Sequence, residues 1–103
     1  MTRSKFLSGL KPMHPGELLR EDVIPALGKT KTEIASLLGV SRQTLHDILT
    51  EKQPVTPGMA LRLGKLLGNG PDIWVNMQRA YDLRQAEVVL AKELAAIPTL
   101  TAA

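Results

Sequence analysis

Between Thr30 and Leu49 the chain carries two helix-start signals on either side of one glycine, and this spacing limits the fold more than any other feature. Thr30 and Glu33 have the offset of a capping box, in which each side chain satisfies the other's exposed backbone donor. Ile34, Leu37 and Leu38 follow at helical spacing. Gly39 suits a left-handed helix end, and Ser41 is placed to cap a second helix with apolar positions Leu45, Ile48 and Leu49. Two short helices therefore meet across Gly39, Val40 and Ser41, and their apolar faces need further elements to cover them.

Composition says what those elements are. The apolar fraction is 44% with a single Phe, Trp and Tyr, so the core must come from Leu, Ile, Val, Met and Ala, which suits helices packed on helices. A length of 103 residues allows one compact domain plus an arm or an extra helix. Pro15 and Glu17 suit the first turn of a helix through Leu18, Leu19, Asp22 and Val23, which Pro25 and Gly28 are expected to close. Thr56 and Pro57 repeat the cap-then-proline signal before Met59, Leu61, Leu63, Leu66 and Leu67, with Gly68 as the stop. Pro71 and Asp72 open a last helix predicted to run unbroken to about Ile97, roughly 40 Å at 1.5 Å per residue.

That last helix is longer than its own core requires. Trp74, Met77 and Tyr81 share one face and are expected in the core. Leu83, Ala86, Leu90, Leu94 and Ile97 trace a second face, which could form a dimer interface, bind a protein partner or pack back on the domain. The dimer is favoured, with Leu83, Ala86, Leu90 and Leu94 meeting a copy of themselves across a two-fold axis. The organisation expected is a mobile basic arm over 1–13, a domain over 14–70, the long helix over 71–97 and a frayed tail over 98–103.

The net charge of +3 invites a nucleic-acid partner, and its distribution sharpens the point. The arm holds Arg3, Lys5 and Lys11 with no acid, and residues 29–65 hold six basic residues against three acidic ones. On the second of the paired helices, burying Leu45 and Ile48 leaves Arg42, Gln43, Thr44 and His46 facing out. A helix fits the major groove, where Arg can bridge guanine O6 and N7 and Gln can bridge adenine N6 and N7. Ser41 opens that helix, Lys31, Thr44 and Lys52 are candidates for phosphate contacts, and Thr32 is expected among the DNA-binding residues. His46 reads equally as a base or phosphate contact and as an exposed histidine without a role. Ala35 is small enough for the two helices to cross closely.

The stretches "MHPGELLREDVIPALG", "EIASLLGVSRQTLHDIL", "VTPGMALRLGKLLG" and "PDIWVNMQ" together resemble the HigA-type antitoxins of bacterial toxin–antitoxin modules, over about Met13 to Gln78. The resemblance implies an all-α, five-helix, lambda-repressor-like helix-turn-helix domain of the XRE/Cro type with an extended C-terminal helix. It further implies a homodimer that binds double-stranded operator DNA, represses its own operon and neutralises a HigB-type toxin, a ribosome-dependent mRNA endonuclease. Ser41, Arg42, Gln43 and Thr44 match the family's recognition-helix start, and Ala35 and Gly39 its turn. Lys31 stands where the family often has Gln, Glu51 where Gly commonly follows the recognition helix, and Gly58 and Gly64 where Glu and Ala are usual.

Other function classes find little support. No cysteine is present, and His14 and His46 are too far apart to suggest metal ligation, so neither metal nor other cofactor is expected. Glu17, Glu21 and Asp22 read as a solvated helix face, and no nucleophile with a paired acid and base can be assembled. No signal or membrane-spanning segment is evident, and a cytoplasmic location is expected. Two alternatives remain: a stand-alone regulator without a toxin, and an interaction protein whose basic arm and first helix hold a partner.

Overall fold

The computed structural model describes residues 11–101, and within them every regular element is helical. The first helix, α1, is continuous through three segments, Pro15–Leu18, a π-helical turn Leu19–Val23, and Ile24–Leu27. It is followed by α2 (Lys31–Leu38), α3 (Arg42–Leu49), α4 (Pro57–Leu67), α5 (Asp72–Val89) and α6 (Ala91–Ala96). The arm expected over 1–13 lies outside the described residues as far as Leu10. Pro12 and Met13 are half-buried in irregular chain leading into α1.

Helix starts follow local chemistry. Thr30, Ser41 and Thr56 are extended at the N-caps of α2, α3 and α4, and each side-chain oxygen accepts an amide of the first turn. His14 caps α1 through its ring, Nδ1 accepting from the Gly16 amide at 2.9 Å. Gly28, Gly39 and Gly68 end α1, α2 and α4 in left-handed conformation.

Pro25 does not close α1. The Ile24 amide donates to the Leu19 carbonyl five residues back, and the widened turn carries Pro25, whose ring would otherwise press on the carbonyl one turn earlier. The last helix also departs from the unbroken 71–97 rod. It is interrupted at Leu90 (φ −97°, ψ 12°), directly after β-branched Val88 and Val89 and beyond the point where any residue is buried. Weak helix propensity without tertiary support is enough to break the element there.

The core joins Leu19 and Ile24 of α1, Ile34, Ala35 and Leu38 of α2, Leu45, Ile48 and Leu49 of α3, Val55 of the following loop, Met59, Ala60 and Leu63 of α4, and Trp74 of α5. Burying each larger aliphatic side chain is worth about 1.5–3 kcal/mol. Gly16 sets the closest approach, since a Cβ there would run into the Ile48 backbone carbonyl at the end of α3.

Several apolar positions at helical spacing stay outside the buried set. Leu37 and Leu61 are exposed beside each other on the α2–α4 edge, because the core is already closed by Leu38 and Leu63. Met77 packs half-buried against the core as expected and Tyr81 is half-buried, while Gln78, one turn after Trp74, is buried. The Trp74 indole N–H has no hydrogen-bond partner among the described residues. Beyond Tyr81 the helix leaves the core and gives the molecule its long axis, 54 Å against 31 and 25 Å.

Candidate nucleic-acid interface

The paired helices form a rigid unit. In α2 the Glu33 amide donates to Thr30 Oγ1 at 3.1 Å, and the Thr30 amide donates to Glu33 Oε1 at 2.8 Å. The Thr30 amide first, and the Thr30 hydroxyl second, hold the Glu33 carboxyl below its ordinary pKa. Gly39 turns the chain at φ 74°, and the Val40 amide returns to the Ala35 carbonyl at 3.0 Å. Ala35 is buried where α2 meets α3. The Ser41 hydroxyl then accepts from the Thr44 amide at 3.0 Å and donates to Thr44 Oγ1 at 2.8 Å.

Arginines from outside the unit close both helices. Arg62 of α4 donates through Nη1 to the Leu38 carbonyl at 2.7 Å and to the Gly39 carbonyl at 3.4 Å, covering the end of α2. Arg20 of α1 donates through Nη1 to the Leu49 carbonyl at 2.6 Å, covering the end of α3. Cations are favourable at these termini because the last carbonyls carry uncompensated negative partial charge.

With Leu45, Ile48 and Leu49 buried, α3 turns Arg42, Gln43 and His46 to solvent. Ser41 is exposed ahead of them, Lys31 and Thr32 are exposed in the first turn of α2, and Lys52 is exposed in the loop after α3. Thr44 is half-buried, and with Oγ1 accepting from Ser41 its own O–H is left to donate. Gln43 Nε2 donates to Asp47 Oδ1 at 2.8 Å, which fixes which way the amide points and leaves Oε1 and one N–H for a ligand. The face thus presents exposed hydrogen-bond donors from Lys31, Arg42, Gln43 and Lys52.

The loop after α3 is held by residues that periodicity alone did not single out. Glu51 adopts φ 65°, the left-handed conformation that explains why glycine suits this place, and Arg20 Nη1 reaches its carboxylate at 3.3 Å. The Val55 amide donates to Gln78 Oε1 at 2.8 Å. A polar residue one turn beyond Trp74 on a buried stripe was the signal for that bond. His14 is buried behind the loop; burial lowers its pKa, against the opposing pull of Glu51, Asp82 and a backbone hydrogen bond to Gln53. Its ring meets Tyr81 edge-on at 5.0 Å.

Leu83, Ala86, Leu90 and Leu94 are all exposed on α5 and α6. Leu83 and Ala86 continue into a groove with Pro54, Val55, Pro57 and Val75. Among the described residues no group of three or more His, Asp or Glu side chains is arranged to hold a metal ion, and no helix is long and apolar enough to cross a membrane.

Residues 19–74 match a helix-turn-helix family. Virulence-associated protein I of Dichelobacter nodosus is 40% identical over 75 residues, covering 73% of this chain and 69% of that protein. The solved structure of antitoxin GraA matches with a TM-score of 0.81 at 40% identity, over 89% of this chain and 100% of that one. Antitoxin HigA of Pseudomonas aeruginosa, solved with the higBA promoter, matches with a TM-score of 0.83 at 32% identity, over 88% of this chain and 100% of that one. The chain belongs to the helix-turn-helix family, in the group that includes the HigA-type antitoxins.

Proposed function

We propose that this chain is the antitoxin and autorepressor of a toxin–antitoxin module: a homodimer that binds palindromic double-stranded operator DNA and neutralises a HigB-type, mRNA-cleaving toxin. The observation that carries the DNA half is α3 itself, capped at Ser41, buried through Leu45, Ile48 and Leu49, and exposing Arg42, Gln43 and His46. In this reading Arg42 and Gln43 address base edges in the major groove, while Lys31, Thr32, Ser41, Thr44 and Lys52 hold phosphates on either side. The promoter complex of the Pseudomonas aeruginosa relative supports it.

The exposed stripe Leu83, Ala86, Leu90 and Leu94 supports a two-fold interface along α5 and α6. Such a dimer would present its recognition helices about one DNA turn apart, roughly 34 Å, and so require a palindrome. The toxin half rests on the antitoxin relatives.

The deciding experiment is co-expression with the adjacent reading frame, followed by pull-down and a gel shift on the shared promoter. Co-purification of a small protein together with a promoter shift is the expected result. A shift without a partner would make the chain a stand-alone regulator, and no shift would overturn the DNA reading.

A further inference from the structure

The residue after the C-cap Thr50 of α3 is an acid, Glu51, and it lies next to Lys52. A carboxylate there opposes the attraction that a lysine exerts on phosphate. The surrounding loop is tightly wound: the Thr50 amide returns to the His46 carbonyl at 2.9 Å, Glu51 to Ile48 at 3.0 Å, and Lys52 to Asp47 at 2.8 Å. Glu51 sits in this turn at φ 65°, a conformation that side chains other than glycine and asparagine rarely take. Its carboxylate is met by Arg20 Nη1 at 3.3 Å, and the same nitrogen donates to the Leu49 carbonyl at 2.6 Å. Arg20 Nε is bound to Glu21 Oε2 at 2.9 Å, so the guanidinium is held on a second side.

We infer that Arg20 is a positioning residue for DNA binding: one guanidinium, shared with Glu21, offsets the charge of Glu51 and fixes the end of the recognition helix, which weakens the repulsion of the phosphates and holds the turn that carries Lys52. The inference rests on the DNA-binding reading above. Arg20 contacts no base in this scheme, so its removal affects all duplexes alike. The effect is conditional on Glu51, because the harm comes from the uncompensated carboxylate.

The test is equilibrium binding of the full chain to the promoter duplex and to a scrambled duplex, across a salt series, with thermal melts as a folding control. Arg20→Met should weaken both complexes roughly fivefold near 0.1 M salt, the size of one like-charge repulsion at a surface, and the deficit should shrink as salt rises. Glu51→Gly should bind at least as tightly as the wild type, and adding it to Arg20→Met should recover most of the loss. Arg20→Gln, which keeps a polar side chain but carries no charge, gives the same comparison in a second background. Wild-type affinity in both Arg20 variants, or a loss that Glu51→Gly does not relieve, would overturn the inference. Failure of the wild type to bind the promoter would instead remove the underlying DNA reading, and the same titration shows it.

Discussion

Gln78 Oε1 accepts the Val55 amide at 2.8 Å while its Nε2 donates to Asp82 Oδ1 at 2.9 Å, so one buried carboxamide ties the loop after α3 to α5. Val55 is buried, and its amide loses the partner it has among the described residues if the side chain is shortened. Gln78→Ala should therefore destabilise the fold by about 1–3 kcal/mol, the cost of an orphaned buried donor. A thermal melt superimposable on the wild type would show that the bond is dispensable.

His14 predicts a pH dependence with a definite sign. Its Nδ1 accepts from the Gly16 amide, so the folded state needs the neutral ring, and burial lowers its pKa from 6.5. Above pH 6.5 both states are neutral and the full stability is present. As pH falls from there toward the lowered folded value, the unfolded chain binds a proton that the folded chain does not, and stability declines. Urea unfolding in that window should show the decline for the wild type and a flatter profile for His14→Asn, which keeps an oxygen for the cap. Equal slopes would assign the effect elsewhere.

Gly16→Ala should reverse the usual sign of a glycine-to-alanine change in a helix. Alanine normally gains up to about 1 kcal/mol there, but the new methyl group would meet the Ile48 carbonyl, which is backbone and cannot swing aside. A net loss of about 1–3 kcal/mol is expected from the forced separation of α1 and α3. Chemical denaturation measures it, and a gain in stability would mean the two helices are looser than described.

On the interface, Arg42→Ala should relax preference at one base pair and cost about 1–3 kcal/mol on the operator, whereas Lys31→Ala should weaken all sequences and reduce the salt slope by about one. Gel shifts on substituted operators and a salt titration separate the two. Identical profiles for both variants would contradict the split between base reading and phosphate holding.

The exposed stripe on α5 and α6 makes a prediction about assembly. Leu83→Glu with Leu90→Glu places charge on the face proposed to meet a second copy and removes nothing from the core, since both leucines are exposed at 56% and 42%. Sedimentation should then report a monomer with unchanged helicity, and operator affinity should fall. A variant that remains dimeric would move the interface to another surface.

What the sequence determined by itself is what depends on neighbours along the chain. The caps at Thr30, Ser41 and Thr56 and the stops at Gly39 and Gly68 were legible because each is satisfied within one turn of its own position. The outward face of α3 was legible for the same reason, since helical periodicity alone separates Arg42, Gln43 and His46 from Leu45 and Ile48. Tertiary structure decided the rest. Pro25 is carried inside α1 by a widened turn, Leu37 and Leu61 are left in solvent once Leu38 and Leu63 close the core, and the last helix breaks at Leu90 where nothing packs on it. Arg20, Arg62 and Gln78 bond to groups 23 to 31 residues away in the chain, and a local pattern holds no record of such pairs. A backbone carbonyl or amide left open at the end of one element is completed by whichever side chain the packing of another element brings to it.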